Sequence, residues 1–161
     1  SDIKNTFECR EKIKKIADYF LNKSSCFILG KGCGEAVAKE GALKIKEISY
    51  IHAEGYSTSS LKHGPFALLE KDFPTIVLCP NDEFIAKSNN AIEEIKSRYA
   101  KVIKITNIEC DDEDSIIVPY NETFSHLLMI IPLQFLSYEL ALLKNLNPDM
   151  PRNLAKVVTV E

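Results

Sequence analysis

The sequence predicts an α/β protein in which one mostly parallel sheet is covered by helices on both faces, a three-layer αβα sandwich. Three observations carry this expectation. Short, nearly unbroken apolar runs such as Cys26–Leu29 and Pro74–Pro80 read as strands buried on both sides. Longer segments between them carry apolar residues at helical spacing. No repeat, linker or low-complexity stretch divides the chain, so 161 residues, 45% hydrophobic and 27% charged, fit one domain able to bury a core.

Each element follows in order. Ile3, Phe7, Ile13, Ile16, Ala17 and Phe20 recur among lysines and acids, which predicts an N-terminal amphipathic helix within residues 1–24, closed by Asn22-Lys23-Ser24-Ser25. An αβα core over 25–147 comes next. Its first strand, Cys26–Leu29, runs into Gly30-Lys31-Gly32-Cys33-Gly34, a glycine loop opening a helix, which can offer backbone N–H groups to an anion or a sugar. A dinucleotide site would want G-x-G-x-x-G and an acid some twenty residues on. Glu54 could serve as the acid, but the loop reads G-x-G-x-G, so nucleotide binding is a minor alternative.

Ile51–Ala53 predicts a brief second strand before the loop Ser57-Thr58-Ser59-Ser60, and Phe66–Leu69 one helical turn. Pro74–Pro80 is a buried strand bracketed by prolines. Phe84–Ala100 reads as an amphipathic helix with Ala91, Ile92 and Ile95 facing in, and Val102–Ile105 as a strand. The acidic run Glu109–Asp114 reads as a solvated turn without the glycine and spacing of a calcium loop. Ser115–Val118 is the fifth strand, and Ser125 a candidate N-cap for an apolar helix ending near Lys144. Pro132, Gln134 and Glu139 interrupt the apolar run Leu127–Leu143, which fits a core helix better than a membrane span. The tail, 148–161, has prolines nearby and an apolar end, and is expected to pack back on the body.

Bulk properties narrow the function classes. A net charge of −3 argues against nucleic acid or an anionic membrane as partner. Cys9, Cys26, Cys33, Cys79 and Cys110 are odd in number and scattered, with no CxxC or His/Cys ligand spacing. Neither a metal site nor a disulfide framework is expected, and reduced thiols fit a cytoplasmic protein. The polar, helix-forming N-terminus does not read as a signal peptide.

The chemistry concentrates in Glu40–His63. On a helix, Glu40, Lys44 and Glu47 fall on one stripe, with Val37, Gly41, Ile45 and Ile48 on one side and Ala36 and Leu43 on the other. Charges set between apolar neighbours need a partner, and Lys44 is within i,i+4 and i,i+3 reach of the two carboxylates. Two readings stand: a structural ion-pair triad at a helix or subunit contact, or functional machinery. Beyond it, Leu61-Lys62-His63-Gly64-Pro65 presents His63 at a bend. A carboxylate, a lysine and a histidine together form a proton-transfer set, although a lone histidine before Gly-Pro is more often a structural residue.

The stretches EGALKIKEISYIHAEGY, LKHGPFALLEKDFPTIVLCP and PRNLAKVVTVE occur here in that order. Together they resemble the isomerase half of the glutamine–fructose-6-phosphate aminotransferase (glucosamine-6-phosphate synthase) family, and within it the second of two sugar-isomerase (SIS) domains, over about Cys26 to Glu161. The resemblance implies a flavodoxin-like five-stranded sheet and a ketose-to-aldose isomerisation coupled to amination, fructose 6-phosphate becoming glucosamine 6-phosphate. It casts Glu47 as the carboxylate moving a proton between C1 and C2, with Lys44 and Glu40 as the flanking pair. His63 would help open the sugar ring from the neighbouring subunit of a homodimer. Ala155 and Lys156 would close over the sugar. No cofactor is implied. The expected partners in the parent chain are the first SIS domain, which carries the phosphate loops in this family, and the glutaminase domain. Ser59-Ser60 stand where the family usually has Gly-Glu. The alternative is a non-catalytic phosphosugar-binding SIS module.

Overall fold

The computed structural model describes residues 1–154. Five strands, β1 (Ser25–Gly30), β2 (His52–Ser57), β3 (Pro74–Leu78), β4 (Lys101–Thr106) and β5 (Ser115–Ile117), form one all-parallel sheet in the order β2-β1-β3-β4-β5. The helices are α1 (Asp2–Thr6), α2 (Arg10–Phe20), α3 (Cys33–Ser49), α4 (Ile85–Lys96), α5 (Ser125–Leu128) and α6 (Ile130–Leu143).

Alternation along the strands builds the two cores. Cys26, Ile28, Ile76, Leu78, Ile103 and Ile105 join the apolar faces of α2, α3 and α6 on one side of the sheet. Phe27, Leu29, Val77 and Val102 point the other way, onto Leu61 and the inward face of α4, Ile92 and Ile95. The three-layer sandwich expected from the apolar runs is the observed architecture.

Several boundaries differ from expectation. The N-terminal helix is broken by a 3₁₀ turn over Phe7–Cys9. Thr6 and Cys9 are weak helix formers, and the Thr6 hydroxyl donates back to the Asp2 carbonyl at 2.8 Å. The second strand runs past Ala53 to Ser57. Its polar residues are those of an edge strand, and the loop expected over Ser57–Ser60 is instead the end of that strand and the start of a 3₁₀ turn, Thr58–His63. The helix expected to reach Ala100 stops at Lys96, after which Tyr99 turns left-handed (φ 61°).

Ser125 is not the cap of the last helix. Its hydroxyl bonds Asn121 and accepts from the Asn107 amide, while Asn121 Oδ1 accepts the N–H groups of Thr123 and Phe124. The helix is also interrupted at Met129. Pro132 has no N–H for the Leu128 carbonyl, which places the break one turn before the proline.

Ser125–Leu143 is long and apolar enough to cross a membrane by length and composition, but half of it is buried here. Leu133, Leu136 and Leu140 sit in the core against α2 and α3, and the buried Glu139 carboxylate accepts from Arg10 Nε at 2.9 Å. In the acidic turn, Asp112 accepts the Asp114 N–H and the Ser115 hydroxyl, bonds that hold its carboxyl below the usual range.

Candidate functional site

α3 sets the geometry. It starts where β1 ends, through a turn so tight that a Cβ on Gly30 would lie 2.1 Å from the Gly34 carbonyl oxygen. The chain then runs antiparallel to the strands and returns through β2, whose Ser57 lies in register with Gly30. The two ends of α3 therefore sit at opposite edges of the sheet. Val37, Gly41 and Ile45 face the core, and a Cβ on Gly41 would come within 2.3 Å of Leu133 on α6.

The flanks of the charged stripe are less apolar than expected. Ala36 and Leu43 are exposed, and Ile48 is only half-buried, because α3 is covered by the sheet and α6 on one side alone among the described residues. The charges therefore line the boundary between core and solvent. Lys44 Nζ donates to Glu47 Oε2 at 2.9 Å and stands 3.4 Å from Glu40 Oε1. Glu47 is the most enclosed of the three, its side chain 28% exposed. The hydrogen bond to Glu47 raises the Lys44 pKa above the ordinary amine value. Partial burial opposes the rise, and the charges of both carboxylates add to it. The result is a carboxylate fixed by a lysine that stays protonated, with a second carboxylate holding the lysine from the other side.

His63 is not part of this cluster within one chain. It ends the 3₁₀ turn that follows β2, exposed, before Gly64 (φ 136°). The Lys31–Ser59 hydrogen bond, 2.6 Å, ties that turn to the start of α3. Glu47 lies fourteen residues further along the helix than Cys33, roughly 20 Å at 1.5 Å per residue. Thus Glu40, Lys44 and Glu47 are brought together and His63 is held at the other edge. Ala155 and Lys156 lie outside the described residues.

Sequence reasoning missed the residues around the end of α3: Tyr50, Lys144 and Arg152. Periodicity does not mark them, because they meet through a helix cap and a tail far apart in sequence. Elsewhere, an apolar groove of about 640 Å³ runs between Ile3 and Phe7 on one side and Leu127, Ile131 and Phe135 on the other, away from the charged stripe. Among the described residues no group of three or more His, Cys, Asp or Glu is arranged to hold a metal ion.

Comparison with known proteins gives a consistent result. The family model of the SIS domain matches residues 19–144. A protein of Acanthamoeba polyphaga mimivirus, named a probable glutamine–fructose-6-phosphate aminotransferase (isomerizing), is 56% identical over 153 residues, which are 93% of this chain and 25% of the relative. The Escherichia coli glutamine–fructose-6-phosphate aminotransferase (isomerizing) is 41% identical over 157 residues, 94% of this chain and 26% of the relative. Among solved structures, the C-terminal domain of glucosamine-fructose-6-phosphate aminotransferase from Francisella tularensis superposes with a TM-score of 0.86 at 36% identity. That match covers 93% of this chain and 44% of the solved one. The chain spans about a quarter of the length of these curated relatives.

Proposed function

This chain belongs to the SIS domain family, and from that premise we propose that it is the C-terminal part of the sugar-isomerase half of a glucosamine-6-phosphate synthase. The reaction served is the isomerisation of fructose 6-phosphate during its amination to glucosamine 6-phosphate. Residues 1–161 form one SIS domain, which works beside a first SIS domain and a glutaminase domain in a cytoplasmic homodimeric enzyme of amino-sugar biosynthesis.

The observation that carries this reading is the Glu47–Lys44 hydrogen bond at the solvent boundary of α3, with Glu40 on the far side of the lysine. Moving a proton between adjacent carbons needs one carboxylate that reaches both. Developing negative charge on the sugar oxygen needs a fixed cation nearby, and Lys44 kept protonated supplies one. Ala155 and Lys156, outside the described residues, are assigned to sugar binding on the family resemblance.

His63 serves the site of the other subunit. Its own Glu47 lies at the opposite edge of the sheet, so within one chain the two cannot act on one sugar. The same separation is what a binding-only module would also display, which is the second reading. Glu47→Gln in the full-length enzyme separates the two. It is expected to lower isomerisation by about 10²–10⁴-fold while leaving glutamine hydrolysis intact. Near-normal isomerase turnover in that variant would leave the binding module as the better reading.

A further inference from the structure

We infer that Tyr50 is a positioning residue that seats the start of the C-terminal tail across the Glu47 end of α3. The inference rests on the reading of Glu47 as the proton-shuttling group. Tyr50 caps α3 in the left-handed conformation, φ 60° and ψ 20°. Helices commonly place glycine or asparagine there, and a bulky aromatic residue is disfavoured in that conformation. An aromatic ring at that position is therefore retained at a cost, and the structure shows what the ring contacts. The guanidinium of Arg152 stacks over it with Cζ 4.1 Å from the ring centroid, and the Arg152 backbone N–H donates to the Tyr50 hydroxyl at 2.9 Å. One side chain thus holds one tail residue by both its charge and its backbone.

A second contact secures the other side of the same cap. Lys144 Nζ, at the end of α6, donates to the Ser49 carbonyl at 2.7 Å and satisfies one of the carbonyls that a helix terminus leaves open. Burial, helped by the nearby Arg152 charge, lowers the Lys144 pKa. Two cations, Lys144 and Arg152, therefore converge on the negative end of the α3 dipole, three residues beyond Glu47. The ends of α3 and α6 and the segment Pro151–Leu154 become one unit, whose geometry relative to Glu47 is set by Tyr50.

The test uses the full-length enzyme and Tyr50→Asn, because asparagine accepts the left-handed conformation and removes the ring without new backbone strain. Loss of the stacked cation and the hydrogen bond should speed amide exchange in the peptide spanning Met150–Leu154 by about tenfold. KM for fructose 6-phosphate should rise by a similar factor, while glutamine hydrolysis without sugar stays unchanged. Tyr50→Phe keeps the ring under the guanidinium but loses the hydroxyl that accepts the Arg152 N–H, so it should recover part of both effects. Arg152→Gln removes the stacked guanidinium while the backbone N–H at that position still reaches the Tyr50 hydroxyl, so it should move exchange and KM in the same direction as Tyr50→Asn by a smaller factor, which keeps the test valid if that variant folds poorly. Unchanged exchange overturns the contact. Faster exchange with unchanged KM makes it structural only and overturns the positioning role. Failure of the Glu47 reading would show separately, as retained isomerisation in Glu47→Gln, with the exchange result unaffected.

Discussion

The two ends of α3 differ in what they ask of the sequence. At the start, Gly30 lets strand and helix meet at contact distance, Gly32 turns left-handed (φ 56°) against the Phe84 ring, and the Thr58–His63 turn is tied to this loop through Lys31 and Ser59. This is the carboxyl edge of the sheet, where α/β proteins usually bind their ligands. At the far end, no glycine is needed. Instead Glu40, Lys44 and Glu47 line the last turns, and Tyr50, Lys144 and Arg152 close the cap. The ion-paired cluster proposed for proton transfer therefore lies away from the usual binding edge, and His63 lies on it. On the proposed reading one chain offers two partial sites facing in opposite directions, each to be completed by another surface.

The sharpest way to break this comparison is to put the two lesions in different subunits. Full-length His63→Ala and Glu47→Gln homodimers should each be defective by about 10²-fold or more in isomerisation. If each site draws Glu47 from one chain and His63 from the other, a mixed dimer carries both lesions in one site and leaves the second intact. Random mixing makes half the molecules mixed, each with one working site, so about a quarter of normal activity should return. No recovery from mixtures shown by mass to contain mixed dimers would return His63 to its own chain's site and contradict the separation described above.

A second comparison sets the packing of α3 against its chemistry. Gly41 faces the core at the middle of the helix, where an added methyl meets Leu133 at 2.3 Å and more of that side chain within 3.2 Å. Gly41→Ala should destabilise the chain by about 1–3 kcal/mol through overpacking. Leu43→Ala, two residues on and on the exposed flank, should change stability by no more than about 0.5 kcal/mol. Urea midpoints at constant m-value measure both. Equal losses would mean that the exposed flank is buried in solution by a contact between copies.

These contrasts also explain what the sequence discloses and what it hides. β1 and β3 are plain because burial on both faces leaves unbroken runs such as Phe27-Ile28-Leu29 and Ile76-Val77-Leu78. β2 is blurred because an edge strand keeps polar residues such as His52 and Glu54, so only its first half reads as a strand. Glu40, Lys44 and Glu47 are legible because a helix fixes i,i+3 and i,i+4 neighbours whatever the tertiary context. Their exposure is not legible, since it depends on what covers Leu43. Tyr50 and Arg152 escape periodicity altogether: a left-handed cap is a single-residue event, and the pair joins positions 102 residues apart. His63 could be found by its bend, whereas its distance from Glu47 follows only from the parallel return of β2.

The smallest expected effect concerns the charge on Lys44. Its hydrogen bond to Glu47 raises its pKa above the ordinary value of 10.5 in the folded chain. For a raised amine, the stabilisation is fully present below the unfolded value and is lost as pH climbs through the folded one. Since the Lys44 side chain is a third exposed, the pair contributes only about 0.3–0.5 kcal/mol. Comparison with Lys44→Gln cancels the other groups that titrate in alkali, including Tyr19 and Tyr56, whose phenols are pushed up to about 12. The parent chain should be more stable than Lys44→Gln by that margin from neutrality to about pH 10, and the difference should close above 10.5. A margin unchanged at pH 11.5 would assign the stability to the packing of the lysine's methylene stem instead. Lys44 would then add to stability through the fit of its stem beside Glu47 more than through the strength of the ion pair.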